Sequence, residues 1–188
     1  MMSSGLREVK NPNEIFLTQN RSEMSGHAIG MSMEGMRPLT LEVQALVSTA
    51  VYGTPQRSST GFNSKRLNML LAVLGKRAGV QLSNKDVFLN ITGGVKSEDP
   101  SLDLAIVSAI LSSYHDTPLN DKICFASEIG LSGELRPVQK LDKRISEAKK
   151  LGYKVFVTSN FKKDLAEIKG IEILGLDKIG SLITKLFE

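Results

Sequence analysis

The run Glu98-Asp99-Pro100-Ser101-Leu102-Asp103 opens a helix, and the rest of the chain can be read outward from it. Asp is a favoured N-cap and Pro is favoured at the first helical position, so Asp99-Pro100 marks the entry. Leu102, Ala105, Ile106, Ala109 and Ile110 recur at helical spacing and predict one buried stripe. Upstream, Val87 to Ile91 reads as a strand that ends in Gly93-Gly94. Downstream, Ile123 to Ile129 reads as another strand, closed by the turn Gly130-Leu131-Ser132-Gly133.

Two alternating segments lie nearer the start. Ile29, Met31 and Met33 alternate with Gly30, Ser32 and Glu34, and Leu39, Leu41, Val43 and Ala45 alternate with Thr40, Glu42 and Gln44. Period two predicts strands with one face in and one face out, joined through Gly35-Met36-Arg37-Pro38. Residues 48–63, rich in Ser, Thr, Gly and Pro, read as a loop. Leu67, Leu70, Leu71 and Leu74 predict an amphipathic helix with Lys65, Arg66, Lys76 and Arg77 at its ends. A basic helix is expected from about Leu141 to Leu151, with Lys143 paired to Glu147, then strands at Val155–Val157 and Ile171–Leu174. A last helix carries Ile179, Leu182, Ile183 and Leu186. Strands first, then alternating helix and strand, define a mixed α/β (α+β) class. Residues 1–26 are polar and poorly patterned and read as a linker or arm, with Glu14-Ile15-Phe16-Leu17 as its apolar anchor; residues 27–188 form the domain.

The chain has 188 residues, 41% hydrophobic and 23% charged, with a net charge of +4. That suits one globular domain, and the mild basicity is compatible with nucleic acid without selecting it. With one cysteine, Cys124, neither an intrachain disulfide nor a cysteine-ligated zinc site can form. No apolar run approaches the roughly 20 residues that span a bilayer, so the expectation is a cytoplasmic chain with no membrane partner.

Three chemistries come into question. Thr92-Gly93-Gly94-Val95-Lys96-Ser97 follows a strand, as a phosphate loop does, but Val95 stands where a Walker A loop needs Gly before its Lys. There is no Gly-x-Ser-x-Gly elbow, and the histidines are only His27 and His115, the latter expected as a solvated helix cap. A Ser-Lys dyad is the third. Here Glu98–Asp103 together with Glu128-Ile129-Gly130-Leu131-Ser132-Gly133-Glu134-Leu135-Arg136-Pro137-Val138 resembles the proteolytic domain of the Lon family. Under that resemblance Ser101 falls on the nucleophile and Arg144 on the lysine; Asp99 and Asp103 stand where Lon-like enzymes have glycines. A dyad lysine must be neutral part of the time to take the serine proton. A guanidinium stays charged and has no acceptor site, so the resemblance implies a degenerate dyad with no catalytic residues. The alternative is a residual Ser101-dependent peptidase.

A longer resemblance is to the C-terminal part of the RadA (Sms) family of bacterial DNA-repair proteins. It rests on Gly5-Leu6-Arg7-Glu8-Val9, Asn11–Leu17, Met33–Leu39, Glu42–Val47, Asn63–Leu67, Leu70–Leu74, Gly93–Lys96 and Glu128–Val138, with Met36 where Thr is expected. The resemblance implies a Lon-proteolytic-domain-like fold, related to the ribosomal-protein βαβ superfold. It also implies a longer protein with a zinc module and an upstream ATPase using ATP and Mg, none of whose motifs occur here. That parent would be a hexameric branch-migration motor in recombinational repair, acting with a RecA-type recombinase. For this domain it leaves self-association into a ring and contact with single-stranded or branched DNA. Basic residues at loops and helix ends (Arg37, Arg57, Lys65, Arg66, Lys76, Arg77 and Lys96) are the candidates for phosphate contact, with a merely solvated basic surface as the competing reading. An oligomerisation module without DNA contact is a further alternative. No cofactor is expected in this chain itself.

Overall fold

The computed structural model describes residues 23–51, 53–160 and 168–187. Most of the arm expected over residues 1–26, with its apolar anchor, therefore lies outside the described residues.

Strands β1 (His27–Glu34) and β2 (Arg37–Thr49) form a hairpin with Glu34 opposite Arg37. Its turn is only Gly35-Met36, with Gly35 at φ 58°, so Arg37 and Pro38 belong to the strand and not to the connection. Two short elements follow: β3 (Arg57–Thr60) and helix α1 (Ser64–Arg77), whose first turn is capped by the Asn63 side chain accepting from Lys65 N and Arg66 N. Next come β4 (Lys85–Ile91), a 3-10 turn at Pro100–Leu102, and α2 (Asp103–His115). The chain closes with β5 (Ile123–Ala126), the small hairpin β6 (Glu128–Ile129) and β7 (Leu135–Arg136), α3 (Leu141–Lys150), β8 (Val155–Ser159), β9 (Glu172–Leu176) and α4 (Ile179–Leu186).

Seven strands make one sheet in the order β3-β4-β2-β1-β5-β8-β9, and β6-β7 stand apart. The β1/β2 and β2/β4 pairs are antiparallel; β3/β4, β1/β5, β5/β8 and β8/β9 are parallel. The mixed class read from the sequence is what the sheet shows. Helices α1, α2 and α4 supply one core with Leu41, Val43, Val87 and Leu89. Helix α3 covers the other face, where Ile145 and Ala148 meet Ile29, Met31, Cys124 and Phe156.

Four readings need correction. Strand β1 does not have one wet face: Ala28 through Ser32 are all buried, because the strand is central and helices cover both sides. Alternation there sorts residues between two cores. Helix α2 likewise has no stripe; Asp103 through Ser112 are all buried. Its polar members are tolerated because Ser108 Oγ donates to Leu104 O at 2.7 Å and Ser112 Oγ to Thr117 O at 2.6 Å. The expected loop over 48–63 contains β3, and β2 runs on to Thr49. Ser and Thr suit an edge strand held by main-chain pairing to β4, where few side chains are buried. The single strand expected over 123–129 is broken at Ser127, which turns the chain into the small hairpin.

The close approach of α2 to β1 depends on Gly30. A Cβ there would lie 2.4 Å from Leu102 Cδ2 and 3.1 Å from Ala105 Cβ. Gly30→Val should therefore lower stability by about 1–3 kcal/mol, the usual cost of overpacking a tight core, read as a reduced urea midpoint.

A candidate site at the start of the central helix

Asp99 places everything at this site. Its Oδ1 accepts from Ser101 N at 3.0 Å, the N-cap bond expected from the sequence, and Pro100 follows at the first helical position. Its Oδ2 accepts from Met33 N at 2.8 Å and from Ser32 Oγ at 3.2 Å, which ties the helix entry to the end of β1. The same oxygen accepts from Arg144 Nη2 at 2.9 Å.

Ser101 and Arg144, 43 residues apart in sequence, do meet. Arg144 is 3% exposed and Ser101 is fully buried. Arg144 Nη1 donates to Ser101 Oγ at 2.7 Å and to Met31 O, while Nε donates to Gln139 O at 3.1 Å. Ser101 Oγ in turn donates to Met31 O at 3.2 Å. The serine proton therefore points at a peptide carbonyl, which is not a base, and a serine lone pair is held by a cation. His27 bonds Glu42, and His115 is exposed in the last turn of α2, as expected, and also stacks on Phe187 at 5.3 Å. Among the described residues neither a lysine nor a histidine reaches Ser101, and the carboxylate beside it, Asp99, is paired with Arg144. A groove of about 450 Å³ adjoins the cluster, lined by Met33, Asp99, Glu128, Val138, Lys140 and Arg144, but Ser101 does not line it.

Burial pushes the Asp99 carboxyl up, yet the Ser101 amide bond and the Arg144 charge and hydrogen bond outweigh it and hold the group below the ordinary carboxylate value. A second pair sits one turn on. Arg66 Nε donates to Asp103 Oδ1 at 2.7 Å and Nη2 to Oδ2, where Ile129 N also donates at 3.0 Å. Burial drives the Asp103 carboxyl up against the pull of Arg66 and the Ile129 amide, and the hydrogen bond to Asp103 holds Arg66 firmly charged.

The seven basic candidates do not form one patch. Arg37 begins β2 and Arg57 begins β3, both exposed; Lys96 is exposed in the loop before Asp99. Lys65 and Arg66 occupy the first turn of α1, and Lys76 and Arg77 its last, about 15 Å further along the axis. Arg66 is committed to Asp103 and approaches Glu128 at 3.7 Å, so its structural role is explained without a ligand. On α3, Glu147 pairs with Lys150 at 3.4 Å and not with Lys143 as expected. Sequence reasoning found Ser101 and Arg144 but missed the ion-pair role of Asp99 and the acceptor role of Met31 O. Backbone carbonyls carry no sequence signal, and the capping pattern gave only half of what Asp99 does.

Residues 41–161, from β2 past the end of β8, match the family model described as subunit ChlI of Mg-chelatase, and the chain belongs to that family. The match includes Asp99, Ser101, Asp103 and Arg144. The chain is also similar to the DNA repair protein RadA of Bacillus subtilis, 44% identical over 184 residues, covering 97% of this chain and 40% of that protein. The RadA of Streptococcus pneumoniae is 43% identical over 188 residues, covering 100% of this chain and 45% of that protein. The Listeria monocytogenes RadA is 40% identical over 186 residues, 98% of this chain and 41% of the relative. The chain thus spans less than half the length of the curated relatives it matches. Among the described residues no group of three or more His, Cys, Asp and Glu could hold a metal, and no helix is long and apolar enough to cross a membrane.

Replacing Arg144 with Met leaves Asp99 half-buried without its cation, and should cost about 3 kcal/mol at neutral pH, the lower end for breaking a buried pair because Asp99 keeps some solvent. The sign with pH follows from the lowered Asp99 value. Its stabilisation is present above the ordinary carboxylate value of 3.8 and is lost as pH falls through the lower folded-state value. The gap between wild type and Arg144→Met, measured by denaturant unfolding, should therefore narrow below about pH 4.

Proposed function

We propose that this chain is a non-proteolytic, Lon-like scaffold domain of a RadA-type DNA-repair protein, working in ring assembly and DNA contact. The Ser101–Arg144 contact carries the non-proteolytic half. A guanidinium that cannot release its proton occupies the place a base would need, and the serine is buried with both its proton and a lone pair engaged. The RadA relatives, aligned over nearly the whole chain, support the DNA-repair half. A residual peptidase is disfavoured, since the one carboxylate beside Ser101 is paired with Arg144 and the serine does not line the adjoining groove.

In this reading the domain belongs to a larger protein whose other part supplies ATP hydrolysis with Mg and a zinc module. The assembly is a cytoplasmic hexameric ring that drives branch migration on single-stranded or branched DNA beside a RecA-type recombinase. The exposed candidates Arg37, Arg57, Lys65, Lys76, Arg77 and Lys96 are its phosphate contacts.

Light scattering combined with titration of labelled single- and double-stranded DNA tests this. The expected outcome is a mass above the 20.5 kDa of one chain, with DNA affinity whose logarithm falls against log salt by about 0.9 per duplex phosphate neutralised. Assembly without any DNA retention down to about 50 mM salt would leave only the oligomerisation module. A monomer that retains no DNA would end the proposal.

A further inference from the structure

A second concave surface lies away from the Ser101 cluster, between the end of α1, the β6–β7 hairpin and the start of α4. It has a volume of about 610 Å³. Arg77, Lys178 and Lys185 line it together with the hydroxyl-bearing Ser132, Ser181 and Thr184. Its lining includes no carboxylate, whereas the grooves beside Asp99, beside Lys65 and beside His27 each include at least one: Asp99 and Glu128, Glu98, and Asp121 respectively. None of the three cations makes an ion pair with a described residue. Glu134, which pairs with Lys178 across a short antiparallel bridge, does not line the groove; its carboxylate accepts from Ser132 N and from Arg136.

The walls are tied together. Ile179 N donates to Gly133 O at 2.8 Å and Leu135 N to Asp177 O at 2.9 Å, joining the hairpin to the start of α4. Gly133, at φ 80°, brings its backbone so close to α1 that a Cβ would lie 3.0 Å from Arg77 Cβ. The cationic side chains are thus mounted on a frame that is already formed. Their placement also carries a cost that the fold alone does not offset. Cations are favoured at helix C-termini, which accounts for Arg77 on α1, but disfavoured at N-termini. Lys178 is the N-cap of α4, offers no capping bond, and has no acid in the first turn beside it. A bound anion would remove that conflict.

We propose that this groove binds phosphate groups, specifically the sugar–phosphate backbone of a nucleic-acid strand, through Arg77, Lys178 and Lys185. The proposal rests on the DNA-contact reading above and deepens it, adding two lysines that the sequence did not single out. The groove has no aromatic side chain on which a base could stack, so it recognises backbone and not sequence. Its open form suits a strand passing through better than an enclosed nucleotide.

The test compares the wild-type chain with the triple variant Arg77→Ala/Lys178→Ala/Lys185→Ala and with a control triple, Lys122→Ala/Lys143→Ala/Lys154→Ala. All six side chains are exposed, and each triple removes the same charge. Binding of a labelled single strand is measured across salt, and the melting temperature is measured with and without inorganic pyrophosphate. The groove triple should weaken strand binding at least about tenfold at low salt and lower the slope of log affinity against log salt by about 2, at roughly 0.7 per contact. The control triple should change the slope by much less, and pyrophosphate should compete for the strand in the wild type. Wild-type affinity in the groove triple, or an equal loss in the control, overturns the groove while DNA contact elsewhere stands. If the wild type retains no strand but pyrophosphate raises its melting temperature and not that of the groove triple, the groove is a site for free phosphates and the nucleic-acid proposal fails. An acidic peptide competing where pyrophosphate does not would also overturn it, in favour of a protein partner.

Discussion

The guanidinium of Arg144 joins three parts of the chain that are remote in sequence. It reaches from α3 to the carbonyl of Met31 in β1, to the hydroxyl of Ser101 at the helix entry, and to the carboxylate of Asp99 just before it. Helix α3 covers one face of the sheet and α2 the other, so this one side chain reaches from one layer, past the end of β1, to the start of the opposite layer. A charge this deeply buried is tolerable only because each of its nitrogens finds an acceptor and Asp99 supplies the counter-charge. Lysine, with a single nitrogen at the end of a flexible stem, could not make the same fork of bonds. What disqualifies the residue as a base also makes it a good pin.

Asp99 and Asp103 show the same logic twice. Both stand where the Lon resemblance expects glycine, and each has its own arginine, Arg144 for the first and Arg66 for the second. Asp103 also receives the Ile129 amide, while Ser127 N donates to Ser101 O and Leu104 N to Ser127 O. The start of α2 is thereby stitched to β1, to the β5–β6 corner and to α3. A nucleophilic serine needs room for a substrate and a base that can change its protonation. Here the same space is filled by two ion pairs and a set of main-chain bonds.

Much of the architecture was legible in the sequence because its cues are local. The Asp99-Pro100 entry, the Leu pattern of α1, the alternation in β1 and β2 and the glycine turn before β7 each became the expected element. The readings that failed concern what lies across from an element. Alternation in β1 could not show that both faces are covered, and the stripe of α2 could not show a helix surrounded on all sides. A Ser- and Thr-rich stretch hid the edge strand β3. At the site, the resemblance placed Ser101 and Arg144, but the partners that give them meaning, Met31 O and the second oxygen of Asp99, are set by folding. Arg66 stands among the sequence candidates for phosphate contact because its partner Asp103 is 37 positions away.

Ser101 has no free base beside it, and Arg144 is a structural pin. Covalent labelling of the serine with a fluorophosphonate probe at neutral pH, located by peptide mass spectrometry, distinguishes this from an activated nucleophile. The folded wild-type chain should leave Ser101 unmodified. Stoichiometric labelling of Ser101 in the folded wild type would contradict it, since it would show an activated and accessible nucleophile beside a residue that cannot take its proton.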